Sequence, residues 1–460
     1  MKQSLPSRPG TIVSPLVSTA DSHSRRRGPG TELADAQLAR HAVAVVLASG
    51  RGARLRQLSL NNAKPALDFG GKFRIVDFAL SNCLNSGIRR MAVLTQYNSH
   101  SLIQHVQRAW SFLRGELNEM VDVLPAHQRG GEEDWYRGTA DSVYRNLDIL
   151  LPSAGTPRYV VVMAGDDVYK MDYAILLRDH VAHGRGCTIA CAEIPRAEAS
   201  TYGVMSVHDD LTVASFIEDP VEPPSMPARP DISLVSMGIY VFDASYLVEL
   251  LESDALDPHS SHDFGRDIIP MTVAQSRAVA HPFHRSCVTR DSLPSAPPYW
   301  RRIDTLDAFL AAHLDLAAVI PALDLYDAQW PIWTDQRQLP PAKFVFDLNG
   351  QPGLVINSTV SAGCVIVGSQ IKDSVIFSAV RVMSFCDILK SVLMPGVQVG
   401  AGCRLRRVIV EGNCVLPEGL VVGEDAAADR TRFERTGAGT VLITKAMLTH
   451  LAQENVPNAP

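Results

Sequence analysis

The chain has 460 residues, 46% apolar and 20% charged, the balance of a soluble globular protein with length for two domains. A net charge of −6 offers no basic field for nucleic acid, and no apolar run approaches the roughly 20 residues that a membrane span requires. The eight cysteines are scattered and none forms a CxxC pair, so they read as buried small side chains in a reducing, cytoplasmic setting rather than as disulfides or zinc ligands.

Residues 1–40 are rich in Ser, Pro, Gly and Arg, as in Ser22-His23-Ser24-Arg25-Arg26-Arg27. They read as a disordered tail, with an organelle transit peptide as the alternative. A first domain is expected over 41–293. Residues 42–47 (AVAVVL) form a short, β-rich apolar run ending near glycines, which reads as a buried parallel strand. Similar runs recur at 91–94, 159–163, 188–194 and 237–242. Between the earlier ones lie helical patterns, one carrying Phe78, Leu80 and Leu84, the next Leu102, Ile103, Val106 and Trp110. Strands alternating with helices predict an α/β domain, a mostly parallel sheet covered on both faces, with ligands at the carboxyl ends of the strands. The Pro-rich stretch 294–340 reads as a connector with one helical patch at 306–316.

The pattern changes over 341–460. Val365, Ile371, Phe377, Met383 and Leu389 recur every six residues; Val397, Cys403, Ile409, Val415 and Val421 do so again in a shifted register. No helix or simple strand has that period. It marks a parallel β-helix in which each face stacks one apolar residue inward per turn. A helix near 444–451 ends the chain.

Two places suggest chemistry. Gly50-Arg51-Gly52-Ala53-Arg54 follows the first strand, and Lys64 comes ten residues later. Glycines there let backbone N–H groups approach a polyphosphate while the cations neutralise it. The bland alternative is a tight turn. The loop is neither a dinucleotide fingerprint nor a Walker A sequence. Ala164-Gly165-Asp166-Asp167 ends the strand at 159–163, where an Asp is placed either to hold Mg²⁺ against phosphates or to cap a helix.

Several segments resemble the bacterial ADP-glucose pyrophosphorylase (glucose-1-phosphate adenylyltransferase) family: 62–90 (NAKPALDFGGKFRIVDFALSNCLNSGIRR), 135–141 (WYRGTAD), 223–227 (PPSMP), 236–242 (SMGIYVF), 261–265 (SHDFG) and 341–344 (PAKF). The resemblance runs from about residue 42 to 451. It implies a Rossmann-like nucleotidyltransferase domain followed by a left-handed parallel β-helix, and synthesis of ADP-glucose and pyrophosphate from ATP and glucose 1-phosphate with Mg²⁺. It also implies a homotetramer, or a heterotetramer with a paralogue. Carried over residue by residue, Gly50, Gly52, Arg54 and Lys64 would cradle the ATP phosphates. Asp166 would be the metal-binding catalytic acid. Tyr136, Gly203, Glu218 and Ser236 would line the sugar site, and Arg74 would belong to an effector site.

The chain departs from the family pattern at sensitive places. The family loop Gly-Gly-x-Gly-Thr-Arg appears with Ser49 and Ala53. Asp219 stands where the family's lysine holds the sugar phosphate; two unit charges about 4 Å apart at an effective dielectric of about 20 interact by roughly 4 kcal/mol, so the reversal calls for a compensating cation. Arg302 stands at the second metal-binding carboxylate, with Asp304, on the same side of an extended segment, as the candidate substitute. Asn61, Asn62, Asp68, Pro152 and Gly412 replace basic effector residues, while Arg74 is kept. Beside the working enzyme stand two alternatives: a catalytically impaired paralogue that modulates an active subunit, and a non-catalytic ligand-binding protein.

Overall fold

Seven apolar residues, Ala42–Ala48, six of them Ala or Val, form β1 at the centre of a nine-stranded sheet. The computed structural model describes residues 37–50, 53–60, 62–126, 135–152, 156–227, 229–289, 297–347 and 350–454, without the side chains of Ala53, Arg54, Arg56 and Glu454. The tail expected over 1–40 lies outside the described residues except for its last four, which are helical, and Gly52, Asn61 and the side chain of Arg54 lie outside them too.

After β1 come α1 (Ile75–Asn85), β2 (Arg90–Thr95), α2 (His100–Ala109), β3 (Met120–Pro125) and β4 (Tyr159–Ala164). The strands β3, β2, β1 and β4 lie side by side, all parallel. The long strand β9 (Ile232–Asp243) closes this run antiparallel to β4. Beyond it pair β6 (Cys187–Pro195) and β7 (Val204–Val207), with β8 (Val213–Ile217) against β7 and β10 (Ala278–Pro282) against β6. A short pair sits off the sheet: β5 (Asp167–Tyr169) with β11 (Trp300–Arg302). The expected strands and the helices at 75–85 and 100–109 are therefore present. Apolar side chains from α1 and α2 fill one face of the sheet; β6, β9 and the helix Ala244–Ala255 fill the other. The sheet is mostly parallel and covered on both sides, as alternation of strand and helix requires.

The C-terminal region is a three-faced stack of short parallel strands. Its interior columns are Ile366, Val382, Val399 and Leu416 on one face, Ile371, Ile388, Leu405 and Val422 on the second, and Ile376, Leu393 and Val410 on the third. The strict six-residue spacing does not coincide with these columns. Met383 and Val415, expected inside, are 52% and 62% exposed. Pairing joins Ile366 to Val382 and Val382 to Val399, so a turn is shorter than the roughly eighteen residues of three strict hexapeptides. Parallel pairing fixes one inward residue per face; the corners between faces are free to vary in length. Phe377 and Ile409 point the other way, into the interface with the first domain.

That interface is built on the helix Leu306–Leu316, whose Leu306, Phe309 and Leu310 pack with Phe69, Phe78, Val375 and Phe377. His313 lies at its centre, Nδ1 on the Phe309 carbonyl at 2.8 Å and Nε2 accepting the Gly70 N–H at 3.2 Å. Burial pushes the pKa of His313 down to about 4, so it serves as a neutral, satisfied core residue.

Candidate active site

Strands β1 and β4 are hydrogen-bonded neighbours, with Leu47 opposite Ala164, so both run out at the same edge of the sheet. Their exits deliver Gly50 and Asp166 to that edge. The turn after β4 folds tightly over β1: Gly165 N–H donates to the Leu47 carbonyl at 3.0 Å, and a Cβ at Gly165 would stand 2.6 Å from the Val46 side chain. A larger residue would lift Asp166 off the edge. Gly50 is exposed, with nothing among the described residues within 4 Å of where a Cβ would stand.

At this edge lies an acidic corner closed by one ammonium. Lys64, 4% exposed, contacts Asp166 Oδ2 at 2.8 Å and Asp304 Oδ1 at 2.6 Å. Burial works against its charge, but the carboxylates of Asp166, Asp167 and Asp304 outweigh it and hold the pKa above the ordinary lysine value. The other oxygen of Asp304 pairs with Arg302 at 2.9 Å. Arg302 also donates to the Thr201 carbonyl at 2.7 Å and lies over the Tyr202 ring, 4.4 Å from its centre. Pairing of β5 with β11 sets Arg302 opposite Asp167. Asp167 is buried and accepts from Trp300 Nε1 at 3.1 Å; burial, then the neighbouring Asp166 charge, pushes it well above the ordinary carboxylate range against the pull of Lys64 and Arg302.

The second corner forms around Glu218 at the end of β8. A Cβ on Gly203 would come 2.5 Å from Glu218 Oε2, and one on Gly265 would come 2.6 Å from it, so both glycines make room for this carboxylate. Ser236 N–H donates to the Gly203 carbonyl at 2.8 Å. At Ser236 the pairing of β9 with β6 breaks; Gly238, at φ +67°, turns its N–H onto Ser236 Oγ. Burial, then the charges of Asp219 and Asp263, raises the Glu218 pKa to about 7, with Arg302 and Arg266 acting the other way. Two segments that carried the resemblance meet here: Thr139 Oγ1 accepts from Phe264 N–H and donates to Asp263, while Gly265 backs onto Glu218. Tyr136, in the first of them, is buried, with its hydroxyl accepting from Asn146 at 3.0 Å.

Asp219 is exposed, in the left-handed region at φ +48°, and its N–H donates to the Tyr202 carbonyl. It has a nearby cation in Arg266, at 3.3 Å, on the segment that also carries Gly265. Tyr202 therefore joins the corners, with its backbone on Asp219 and its ring beneath Arg302.

Lys64, Asp166 and Asp304 thus come together, as do Gly203, Glu218, Asp219 and Ser236. Arg74 stands apart from both groups. It donates to the Ser101 carbonyl, lies 3.9 Å from Asp68, and lines two cavities between the domains, one of them also lined by Asn62 and Gly412. Sequence reasoning passed over Asp167, Tyr202, Arg266 and Trp300. For Asp167 the signal was its place in the Asp166-Asp167 pair; the bond of Trp300 to Asp167 across β5 and β11, and the stacking of Tyr202 on Arg302, are tertiary contacts with no local signature.

The residues fit a divalent cation at Asp166 and fit it poorly at Asp304. Asp166 has one oxygen on Lys64 and its side chain is 35% exposed, which suits Mg²⁺ held by one carboxylate, waters and substrate phosphates. Both oxygens of Asp304 already face cations. Among the described residues no group of three or more Asp, Glu, His or Cys side chains gathers in a metal-holding cluster.

Residues 43–319 match the family described as nucleotidyl transferase, and residues 340–443 match the GlmU-like C-terminal hexapeptide family. Over 402 residues the chain is 57% identical to the glucose-1-phosphate adenylyltransferase of Paraburkholderia phymatum, an alignment covering 87% of this chain and 94% of that relative.

Proposed function

The chain belongs to the glucose-1-phosphate adenylyltransferase family, and on that premise we propose that it makes ADP-glucose and pyrophosphate from ATP and glucose 1-phosphate for glycogen synthesis. An oxygen of the sugar phosphate attacks the α-phosphorus of ATP, and pyrophosphate leaves in line. This asks little covalent chemistry of the protein; positioning and charge neutralisation do most of the work. Gly50 and Gly52, with Arg54, receive the nucleotide phosphates. Lys64 steers Asp166 and adds positive charge. Tyr136, Gly203, Glu218 and Ser236 receive the sugar. Mg²⁺ is the proposed cofactor, with Asp166 as its carboxylate ligand; when bound it neutralises charge on the phosphates.

The supporting observation is the edge where β1 and β4 end together, with Asp166 steered by Lys64 and joined through Arg302 and Tyr202 to the Glu218 corner. The test is pyrophosphate release and ADP-glucose formation by the purified chain with ATP, glucose 1-phosphate and Mg²⁺. Activity well above an Asp166→Ala control supports the reading, and a rate equal to that control removes it.

Asp219 and Arg302 favour a second reading, a modulating subunit for an active paralogue. Mixing the two proteins would then give one mixed tetramer with altered effector response; separate species would count against it. We propose a tetramer in either case. Phe344, Phe346, Leu354, Ile356, Met383 and Phe385 are exposed apolar side chains on the early turns of the β-helix, a surface suited to a second copy or a paralogue. Light scattering of the purified chain tests this, and a monomer would refute it. Arg74 is the proposed effector residue, in cavities whose other charges are mixed in sign. The proposed compartment is the cytoplasm, a reading supported by the free state of all eight cysteines. No helix among the described residues is long and apolar enough to cross a membrane.

A further inference from the structure

We propose that Arg302 receives the phosphate of the sugar phosphate and so sets the affinity of the site for that substrate. The proposal rests on the nucleotidyl transfer argued above, in which a phosphate must lie between the Glu218 corner and the Asp166 corner.

Among the described residues three cations stand at these corners, Lys64, Arg266 and Arg302, and they differ in what they can offer. Lys64 is 4% exposed and clasped by two carboxylates. Arg266 reaches Asp219 at 3.3 Å, but its side chain is 62% exposed and among the described residues that ion pair alone anchors it. Arg302 is held on three sides, by the Thr201 carbonyl, the Tyr202 ring and Asp304. Thr201 and Asp304 engage its two terminal nitrogens, and the remaining N–H groups have no partner among the described residues. A planar guanidinium fixed in this way is pre-organised for a phosphate, and little side-chain freedom is lost on binding.

Charge and position agree. Lys64 and Arg302 together match Asp166 and Asp304, so the guanidinium enters the site with its charge offset only through the one oxygen of Asp304 that it shares with that balanced set. The ring under Arg302 belongs to Tyr202, whose carbonyl accepts from Asp219 N–H, so the guanidinium flanks the place where Asp219 repels an anion. Arg302 also acts on the Glu218 carboxyl, which ties it to the sugar side, while its pairing opposite Asp167 ties it to the reacting side.

The experiment compares the wild type, Arg302→Ala, Arg302→Lys and Arg266→Ala, with circular dichroism to confirm folding. For Arg302→Ala the KM for glucose 1-phosphate should rise roughly tenfold to hundredfold, with the KM for ATP within about threefold of wild type. Arg302→Lys should recover part of the loss, and Arg266→Ala should cost less. Equal rises in both KM values, or a glucose 1-phosphate KM within about twofold of wild type, would overturn the proposal. A wild-type chain that makes no ADP-glucose fails the assigned activity instead. Calorimetric titration with glucose 1-phosphate then decides on Arg302: binding weakened by Arg302→Ala sustains its role, and binding unchanged or absent removes it.

Discussion

The two corners of the site handle negative charge in opposite ways. Around Asp166 the carboxylates are matched by cations that are themselves held: Lys64 is buried between two of them, and Arg302 is pinned to Tyr202 and Thr201. Around Glu218 three carboxylates, those of Glu218, Asp219 and Asp263, face a largely exposed Arg266. An ion pair as open as Arg266 with Asp219 contributes about 1 kcal/mol at most. Each corner has one carboxyl that burial and a neighbouring charge push up, Asp167 at the first and Glu218 at the second, so the corners differ in how firmly the matching cations are held. Charge reversal relative to the family pattern has therefore been absorbed unequally. Arg302 came with a partner, Asp304, whereas Asp219 acquired only a solvent-exposed neighbour.

Removing the ammonium from the closed corner should have the largest effect. Lys64→Met leaves Asp166 and Asp304 without their common cation and Asp167 without part of its compensation. Activity should fall by at least about a hundredfold, because the carboxylate that positions the reaction loses its guide. Stability should fall as well, by about 2 kcal/mol, less than for a fully buried pair because both carboxylates keep some contact with solvent. Urea unfolding beside the pyrophosphate assay reads both. A variant as stable and as active as the wild type would show that the corner is not closed by Lys64.

At the open corner a charge reversal should improve binding. Asp219→Lys removes a carboxylate and adds a cation, so the KM for glucose 1-phosphate should fall, by about tenfold. Two effects limit the gain. Lysine is strained at φ +48°, where Asp and Asn are better tolerated, and it would repel the nearby Arg266. No change in KM would mean that Arg302 already supplies what the phosphate needs. An increase would mean that Asp219 serves the site in its present form.

What could be read from the chain follows the same division between shared and singular interactions. The strand Ala42–Ala48 and the helix Ile75–Asn85 announce themselves because many neighbouring residues repeat one physical message. The β-helix announced itself through its period, yet the inward set was displaced at Met383 and Val415. The period also picks up Phe377 and Ile409, which are apolar because a second domain packs on them. The site is made of single residues brought together over long separations, as Lys64 and Asp304 are. Asp219 and Arg302 were legible as departures from a pattern, but Arg266 and Tyr202, which respond to them, have no local signature. Compensation is a tertiary property and becomes visible only when the partners touch.

The smallest expected effect isolates the charge of Asp219 from everything else at its corner. Glu218 has a pKa near 7 in the folded protein against an ordinary 4.5, so the folded state binds a proton that the unfolded chain releases earlier. Its contribution to stability is present in full below about 4.5 and is lost as pH rises toward 7. Compared with Glu218→Gln, which does not titrate, the wild type should lose stability progressively across that window, and the difference should stop growing above it. Burial comes first among the causes of the shift and the Asp219 charge second. Asp219→Asn tolerates the same backbone conformation and removes only the charge. In that background the upper edge of the window should move to lower pH, while its lower edge, set by the unfolded chain, stays in place. Urea unfolding of the wild type, Glu218→Gln, Asp219→Asn and the double variant across this pH range measures both edges. An upper edge unmoved by Asp219→Asn would assign the shift to burial and the Asp263 charge, and Asp219 would then not be the source of the unbalanced charge at the open corner.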